Sequence, residues 1–303
     1  MSLEGRIALV TAATGGIGFH VARGLAERRA QVIVTGRDTK RGQQAVDEIA
    51  AGAGRARVHL ILSDASSVAE NVWLAENVER RFGRLDILVN NAGIMRSART
   101  ANAEGLEATL ATNFVCPFAL TMRLLPLLRE SRGRIVTVSS SAYRMFRADP
   151  FVEHAGDRFV GIDAYARSKL LGLLFTIALA AREGSSDVVA NAVNPGMAWT
   201  PGTASLTPDA IPKFRLVWPL VRFFQRRASA ERASRGPLWL ATEAPDAVRG
   251  RYFDGTREEK LEPPILDRDA QRRAWALGEG LVARALAHSS TTETPFTPHE
   301  RST

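Results

Sequence analysis

The sequence predicts an α/β protein: a doubly wound, mostly parallel sheet with helices on both faces and a C-terminal substrate lid. Three observations predict it. Short apolar runs alternate with helical patterns along most of the 303 residues. A glycine-rich turn joins the first apolar run to the first helical one. The hydrophobic and charged fractions, 45% and 24%, are those of an ordinary globular chain able to bury a large core. Strands that alternate with helices fold as right-handed crossovers, and ligands collect beyond the carboxyl ends of the strands.

The predicted strands are Arg6–Val10, Val32–Thr35, Val58–Leu62, Ile87–Val89, Arg134–Val138 and Val188–Val193. Helical patterns lie between them near 17–29, 39–51, 66–82, 103–130 and 163–183. Beyond Asn194 prolines and aromatics break the rhythm, which predicts a lid over about 197–228. No internal boundary or repeat interrupts the chain, so residues 1–288 read as one domain. The polar end is expected to be disordered from about Ser289.

Charge and composition exclude several classes. The start, Met1 to Val10, leads directly into the glycine turn and is no signal peptide. No stretch approaches the roughly 18 uninterrupted apolar residues of a spanning helix. A soluble, cytoplasmic protein is expected. The single cysteine, Cys116, excludes an internal disulfide framework and a cysteine-rich zinc site, and no metal is expected. The net charge of +8 is spread through every helical stretch without a nucleic-acid motif, so no nucleic-acid partner is expected. One local exception is Ile211 to Arg227, where five basic residues alternate with Phe214, Trp218, Phe223 and Phe224. A substrate-covering lid explains this segment; a membrane surface is the weaker reading.

The first strand runs into Thr11-Ala12-Ala13-Thr14-Gly15-Gly16-Ile17-Gly18. Glycines there let the backbone approach a pyrophosphate, and the helix that follows offers unpaired N–H groups and a positive dipole end. Its place between a strand and a helix makes this a Rossmann-like dinucleotide turn. After the second strand come Thr35-Gly36-Arg37-Asp38. Gly36 leaves room, and Arg37 supplies a fork of donors suited to a 2′-phosphate, which favours NADP(H) over NAD. Alternatively, Arg37 is solvated and Asp38 merely caps the next helix.

Tyr165 and Lys169 stand four residues apart, on one face of a predicted helix. A phenol titrates near ~10, and a neighbouring ammonium lowers that value, making the phenol a usable proton donor and acceptor.

Together these motifs resemble the short-chain dehydrogenase/reductases. Thr11 to Gly18, Asn90-Asn91-Ala92-Gly93, Asn113, the serines of Val136 to Ser141, Tyr165 with Lys169, and Asn194-Pro195-Gly196 follow in that family's order. The resemblance extends to about Val282, and Gly250 to Phe253 look like the retinol-dehydrogenase-like and carbonyl reductase branch. It implies that Tyr165 exchanges a proton with the substrate oxygen. Lys169 lowers the tyrosine pKa and holds the nicotinamide ribose, Ser140 hydrogen-bonds the substrate, and Asn113 holds a water of a proton relay. It also implies that Ala12, Thr14, Gly16, Ile17 and Gly18 with Arg37 bind the phosphates, that Asn90, Ala92 and Gly93 close the cofactor pocket, and that Pro195, Gly196 and Thr200 border the nicotinamide.

Three departures stand out. Ala12 replaces the first turn glycine, so a negative φ or weaker binding is expected there. Ile61 takes the place of an adenine-contacting aspartate, with Asp64 three residues on. The stretch Ser141 to Asp163 is long, and its Tyr143, Met145, Phe146, Phe151 and Phe159 are expected to form a wall of the substrate pocket, with core packing or a subunit interface as the alternative.

The expected function is NADP(H)-dependent hydride transfer between nicotinamide and a carbonyl or secondary alcohol, on a bulky apolar or aromatic ketone or aldehyde. The alternative is a non-catalytic NADP-binding sensor or scaffold. By analogy, a homodimer or homotetramer would pair through the helices at 103–130 and 163–183.

Overall fold

The computed structural model describes residues 1–54, 57–152, 159–184, 186–200, 207–211 and 218–291. In chain order the elements are β1 (Ile7–Val10), α1 (Gly16–Glu27), β2 (Gln31–Gly36), α2 (Thr39–Ala53), β3 (Val58–Leu62), α3 (Val68–Phe82) and β4 (Ile87–Asn90). There follow α4 (Ala108–Ser131), β5 (Arg134–Val138), a short helical turn (Ser141–Met145), α5 (Gly161–Arg182) and β6 (Val189–Asn194). The C-terminal part holds α6 (Trp218–Arg227), α7 (Ala230–Thr242), β7 (Tyr252–Asp254), β8 (Arg257–Glu259), α8 (Pro263–Leu266) and α9 (Arg268–Thr291).

The eight strands form one sheet in the order β3-β2-β1-β4-β5-β6-β7-β8. Every pairing is parallel except β7 with β8. The chain winds outward from β1 to β3, then returns to lay β4 on the other side of β1. That reversal opens a crevice beyond the carboxyl ends of β1 and β4, where an α/β sheet binds its ligand.

Alternation along each strand divides the core. On β1, Leu9 faces one layer with α3, α4, α5 and α9. Its neighbours Ala8 and Val10 face the other, with α1, α2 and α7. All four residues of β1 are buried, as a strand covered on both faces requires.

Several boundaries differ from the expectation. The helix expected from residue 103 starts at Ala108, because Glu107 caps it by accepting the backbone N–H groups of Thr109 and Leu110. Of the lid expected over about 197–228, residues 201–206 and 212–217 lie outside the described residues and Trp218–Arg227 is helical; beyond it, β7 and β8 extend the sheet, with Tyr252 and Phe253 buried beside β6. Helix α9 continues through Ser289 to Thr291; the rest of the expected tail lies outside the described residues. Cys116 is fully buried in α4, and burial pushes its thiol pKa well up.

Helices α4 and α5 are long and apolar enough to cross a membrane by length and composition, although no single unbroken run suggested it. Their most apolar windows are 78% and 72% buried against the rest of the protein, which makes them core helices. Helix α9 packs on α5, α4 and α3 through Trp275, which meets Phe118 and Phe175. It therefore covers part of the face on which pairing between copies was expected.

Candidate active site

A cavity of about 910 Å³ lies along the carboxyl ends of β1 to β6. It runs from Arg37 and Asp64 at one end to Ser140, Tyr165 and Lys169 at the other.

The first wall is the β1–α1 turn. Ala12, Thr14, Gly16 and Ile17 line the cavity. Helix α1 starts without a side-chain cap, so its first N–H groups keep their donors for a ligand. Ala12 has φ +52°, contrary to the negative value expected. Its neighbours hold it there: Thr35 Oγ1 accepts the Ala12 N–H at 3.1 Å, and Asn91 Nδ2 donates to the carbonyls of Thr11 and Ala12. Gly18 does not line the cavity. A Cβ there would stand 2.4 Å from Asn91 Nδ2, so this glycine admits Asn91 to the turn. Gly36 lines the cavity and also leaves room for Thr14, since its Cβ would meet Thr14 Cγ2 at 2.4 Å.

At the far end Arg37 is exposed on the cavity wall, while Asp38 accepts the Arg41 N–H at 2.8 Å and caps α2. The capping role read for Asp38 is met, and Arg37 stands on the cavity wall. Ile61 is buried in the core, 3% exposed, and makes no part of the wall. Ser63 and Asp64 take the place beside the adenine end that Ile61 had been assigned.

Asn90, expected to close the cofactor pocket, does not line it. Asn90 turns inward and donates to Thr121 Oγ1 on α4 at 2.9 Å, whereas Asn91 lines the cavity. Thr11 ties this corner together, its hydroxyl accepting the N–H groups of Asn91 and Ala92 at 3.0 Å each. Ala92 and Gly93 line the cavity as expected; a Cβ on Gly93 would lie 3.2 Å from Lys169 Nζ.

Asn113 sits in a π-helical turn, Ala111–Val115, within α4. Its amide is committed: Oδ1 accepts from Ile94 N, and Nδ2 donates to Ile94 O and to Ser168 Oγ, all within 2.9 Å. The side chain thus fixes the loop after β4 instead of reaching the cavity, where its neighbour Thr112 stands.

Beyond β5, Ser140 accepts the Ala142 N–H and starts the short helical turn. Ser139 is buried with an unpartnered hydroxyl. Tyr165 and Lys169 lie one turn apart on α5, with Lys169 Nζ 5.6 Å from the phenol ring centre and donating to Val138 O at 2.9 Å. Burial pushes the Tyr165 pKa up, and a hydrogen bond with Ser140 opposes it. Burial pushes Lys169 down, to about 8. The expected lowering of the phenol by Lys169 is therefore not what governs here; desolvation of both groups is. Pro195, Gly196 and Thr200 form the opposite wall.

Tyr143, expected at the substrate, packs in the core instead, and Phe151, expected there too, lies half-buried against the core. Tyr143 is 2% exposed against Tyr252, and the Arg273 guanidinium lies 4.1 Å from the Phe151 ring centre. Neither these nor Met145, Phe146 and Phe159 line the cavity.

A family model described as short chain dehydrogenase matches residues 6–210. The chain belongs to the short-chain dehydrogenase/reductase family. It is an NAD(P)-dependent oxidoreductase acting on CH–OH groups. This dehydrogenase/reductase is 35% identical to polyprenol dehydrogenase of Mus musculus, over 90% of this chain and 83% of the relative. It is 33% identical to retinol dehydrogenase 13 of Mus musculus, over 95% and 87%. Among solved structures, an uncharacterised protein from Mycobacterium paratuberculosis superposes with a TM-score of 0.73 at 29% identity, covering 93% of this chain and 95% of that one. A 3-oxoacyl (acyl-carrier-protein) reductase from Agrobacterium tumefaciens C58 with NADP bound superposes with 0.67 at 25% identity, covering 84% and 93%.

The uncapped start of α1 and the continuous wall from Arg37 to Lys169 fit such a dinucleotide. Among the described residues, no group of three His, Cys, Asp or Glu is placed to hold a metal. Sequence reasoning assigned no role to Arg41 or Thr112 and offered Thr11 and Asn91 only within their motifs. Arg41 was legible: it lies four residues after Arg37, across the first turn of α2. Asn91 was not, because adjacent asparagines differ only in which face the strand turns to the cavity.

Proposed function

We propose that this family member is NADP(H)-specific and interconverts an apolar aldehyde or ketone with its alcohol, working as a reductase. The observation that carries this is the span of one cavity, with Arg37 and Arg41 at one end and Ser140, Tyr165 and Lys169 at the other. Two guanidiniums beside the end of β2, with no ribose-binding carboxylate inserted before Arg37, suit a 2′-phosphate.

The bound dinucleotide supplies the hydride. Ser140 positions the substrate oxygen, and Tyr165 gives that oxygen its proton as the carbon is reduced. Burial holds the phenol's pKa up, so it stays protonated at neutral pH, as a proton donor must be. Lys169 is held against Val138 O where it can meet a ribose hydroxyl. The names of the relatives, polyprenol and retinol dehydrogenases, favour a long apolar alcohol or aldehyde. This support replaces the expected wall, since Tyr143, Met145, Phe146, Phe151 and Phe159 do not line the cavity.

The test is a screen of apolar aldehydes, ketones and alcohols against NADPH and NADH, followed by absorbance. Tyr165→Phe should lower reductase activity by at least ~100-fold, the lower range for a lost general acid, and leave NADPH binding intact. Unchanged turnover sinks the assignment. Arg37→Ala should weaken NADPH binding about tenfold or more, the order of one lost charged hydrogen bond, and leave NADH binding nearly unchanged. Equal losses would show that Arg37 does not read the phosphate.

A further inference from the structure

Six large apolar side chains are strongly exposed among the described residues: Met1, Val152, Met197, Leu220, Phe223 and Leu266. Half of them lie on two neighbouring segments. Met197 (59% exposed) follows β6, and Leu220 (56%) and Phe223 (47%) lie on α6. The two segments are packed together: the Trp199 N–H donates to Ala228 O at 2.9 Å, and the Arg222 guanidinium lies 4.6 Å from the Trp199 ring centre.

Leu220, Phe223 and Arg227 follow one another at spacings of three and four, so they share a face of α6. Gln225, on another face, is buried, 7% exposed, and roots the helix in the protein. The helix reads Trp-Pro-Leu-Val-Arg-Phe-Phe-Gln-Arg-Arg, with three arginines and no acidic residue. Two of the arginines, Arg226 and Arg227, are exposed, and each lies over an aromatic ring: Arg227 is 4.0 Å from the Phe223 centre and Arg226 is 5.8 Å from that of Trp199. Stacking covers the flat face of a guanidinium and leaves its N–H edge outward, the geometry that pairs with phosphate oxygens.

An apolar face fringed by cations, on a helix without acids, is the pattern of an element that lies in a membrane interface. Met197 adjoins the cavity, since Ala198, directly after it, lines the wall. We propose that α6, with Met197, docks this protein on an anionic lipid surface, with the cavity mouth at the bilayer interface. Leu220, Phe223 and Met197 enter the boundary between headgroups and acyl chains, and Arg226 and Arg227 meet the lipid phosphates. The overall charge of +8 acts in the same direction. A partner protein of acidic surface is the competing occupant; the apolar residues at the centre of the face favour lipid. This inference stands apart from the choice of cofactor and substrate, because binding to vesicles is read without turnover.

The experiment is co-sedimentation of the full chain with phosphatidylcholine vesicles, with and without phosphatidylserine, at low and high salt. Binding is expected to the serine-containing vesicles at low salt, falling about fivefold or more without the anionic lipid, and falling again at high salt. The double variant Leu220→Glu/Phe223→Glu should lose about tenfold or more of that binding, as two buried apolar anchors become charges. Arg226→Gln/Arg227→Gln should lose about fivefold per charge. Leu266→Glu, exposed on α8 and not on α6, should bind as the unaltered protein does. Thermal melting and NADPH binding of each variant verify that it is folded. No binding at low salt, equal binding by Leu220→Glu/Phe223→Glu, or an equal loss in Leu266→Glu would each overturn the proposal.

Discussion

Lys169 is the residue whose environment is most at odds with its charge. It is 5% exposed, its amine donates to Val138 O, and burial brings its pKa from 10.5 to about 8. Between those values the unfolded chain holds the proton and the folded protein has lost it, so this group makes stability rise with pH across that window. Below about pH 8 the folded protein carries the penalty in full. Lys169→Met should therefore stabilise the protein without added cofactor by about 1–3 kcal/mol at pH 7, while eliminating activity. Denaturation midpoints of the two proteins should converge as pH approaches 10.5; a constant gap would show that the lysine does not titrate there. Ala12 is the second residue under strain, at φ +52°. A non-glycine residue in this region costs about 1–2 kcal/mol, and glycine gives back part of that gain through unfolded-state entropy. Ala12→Gly should add about 0.5–1 kcal/mol of stability in a denaturant titration.

At the scale of elements, the π-helical turn in α4 decides what Asn113 does. The turn Ala111–Val115 carries Asn113 against the loop after β4, where its amide meets both the N–H and the carbonyl of Ile94. Gly93, next in that loop, has its Cα facing Lys169. Asn113 is thus a positioning residue that holds one wall of the cavity beside the buried lysine. Asn113→Ala leaves the Ile94 groups and Ser168 without this partner and should cost about 2–3 kcal/mol. It should also weaken dinucleotide binding, measured by NADPH fluorescence. A variant that loses stability but binds NADPH as before would confine Asn113 to packing.

For the whole molecule, the C-terminal part is what most alters the picture drawn from the motifs. Strand β7 adds to the sheet beside β6, and α9 lies across α3, α4 and α5. Trp275 is its anchor: 6% exposed, it packs between Phe118 and Phe175, and Arg182 lies 3.9 Å from its ring centre. Trp275→Ala should destabilise the protein by about 3–5 kcal/mol and open the apolar face of α4 and α5. Thermal unfolding checks the first effect, and light scattering the second as increased association. A loss under about 1 kcal/mol would show that α9 is a loose cover rather than part of the core.

The sequence by itself determined the alternation of strands and helices, the phosphate-binding turn, and the pairing of Tyr165 with Lys169. These features are local: strand runs, helical spacing and turn glycines act over a few residues, so they are written in order along the chain. Tertiary structure alone decided matters that depend on distant neighbours. Ala12 takes a positive φ because Thr35 and Asn91 hold its backbone, and Asn91 rather than Asn90 faces the cavity because of how β4 is set in the sheet. Tyr143 went to the core and Phe151 to its edge because β7 and α9 brought Tyr252 and Arg273 against them. Ile61 and Asp64 were likewise separated by the end of β3, which buries the first and sets the second on the wall. Hydrogen bonding and burial across more than a hundred residues of chain are not encoded in any short motif, and they settle which of several suitable side chains reaches the site.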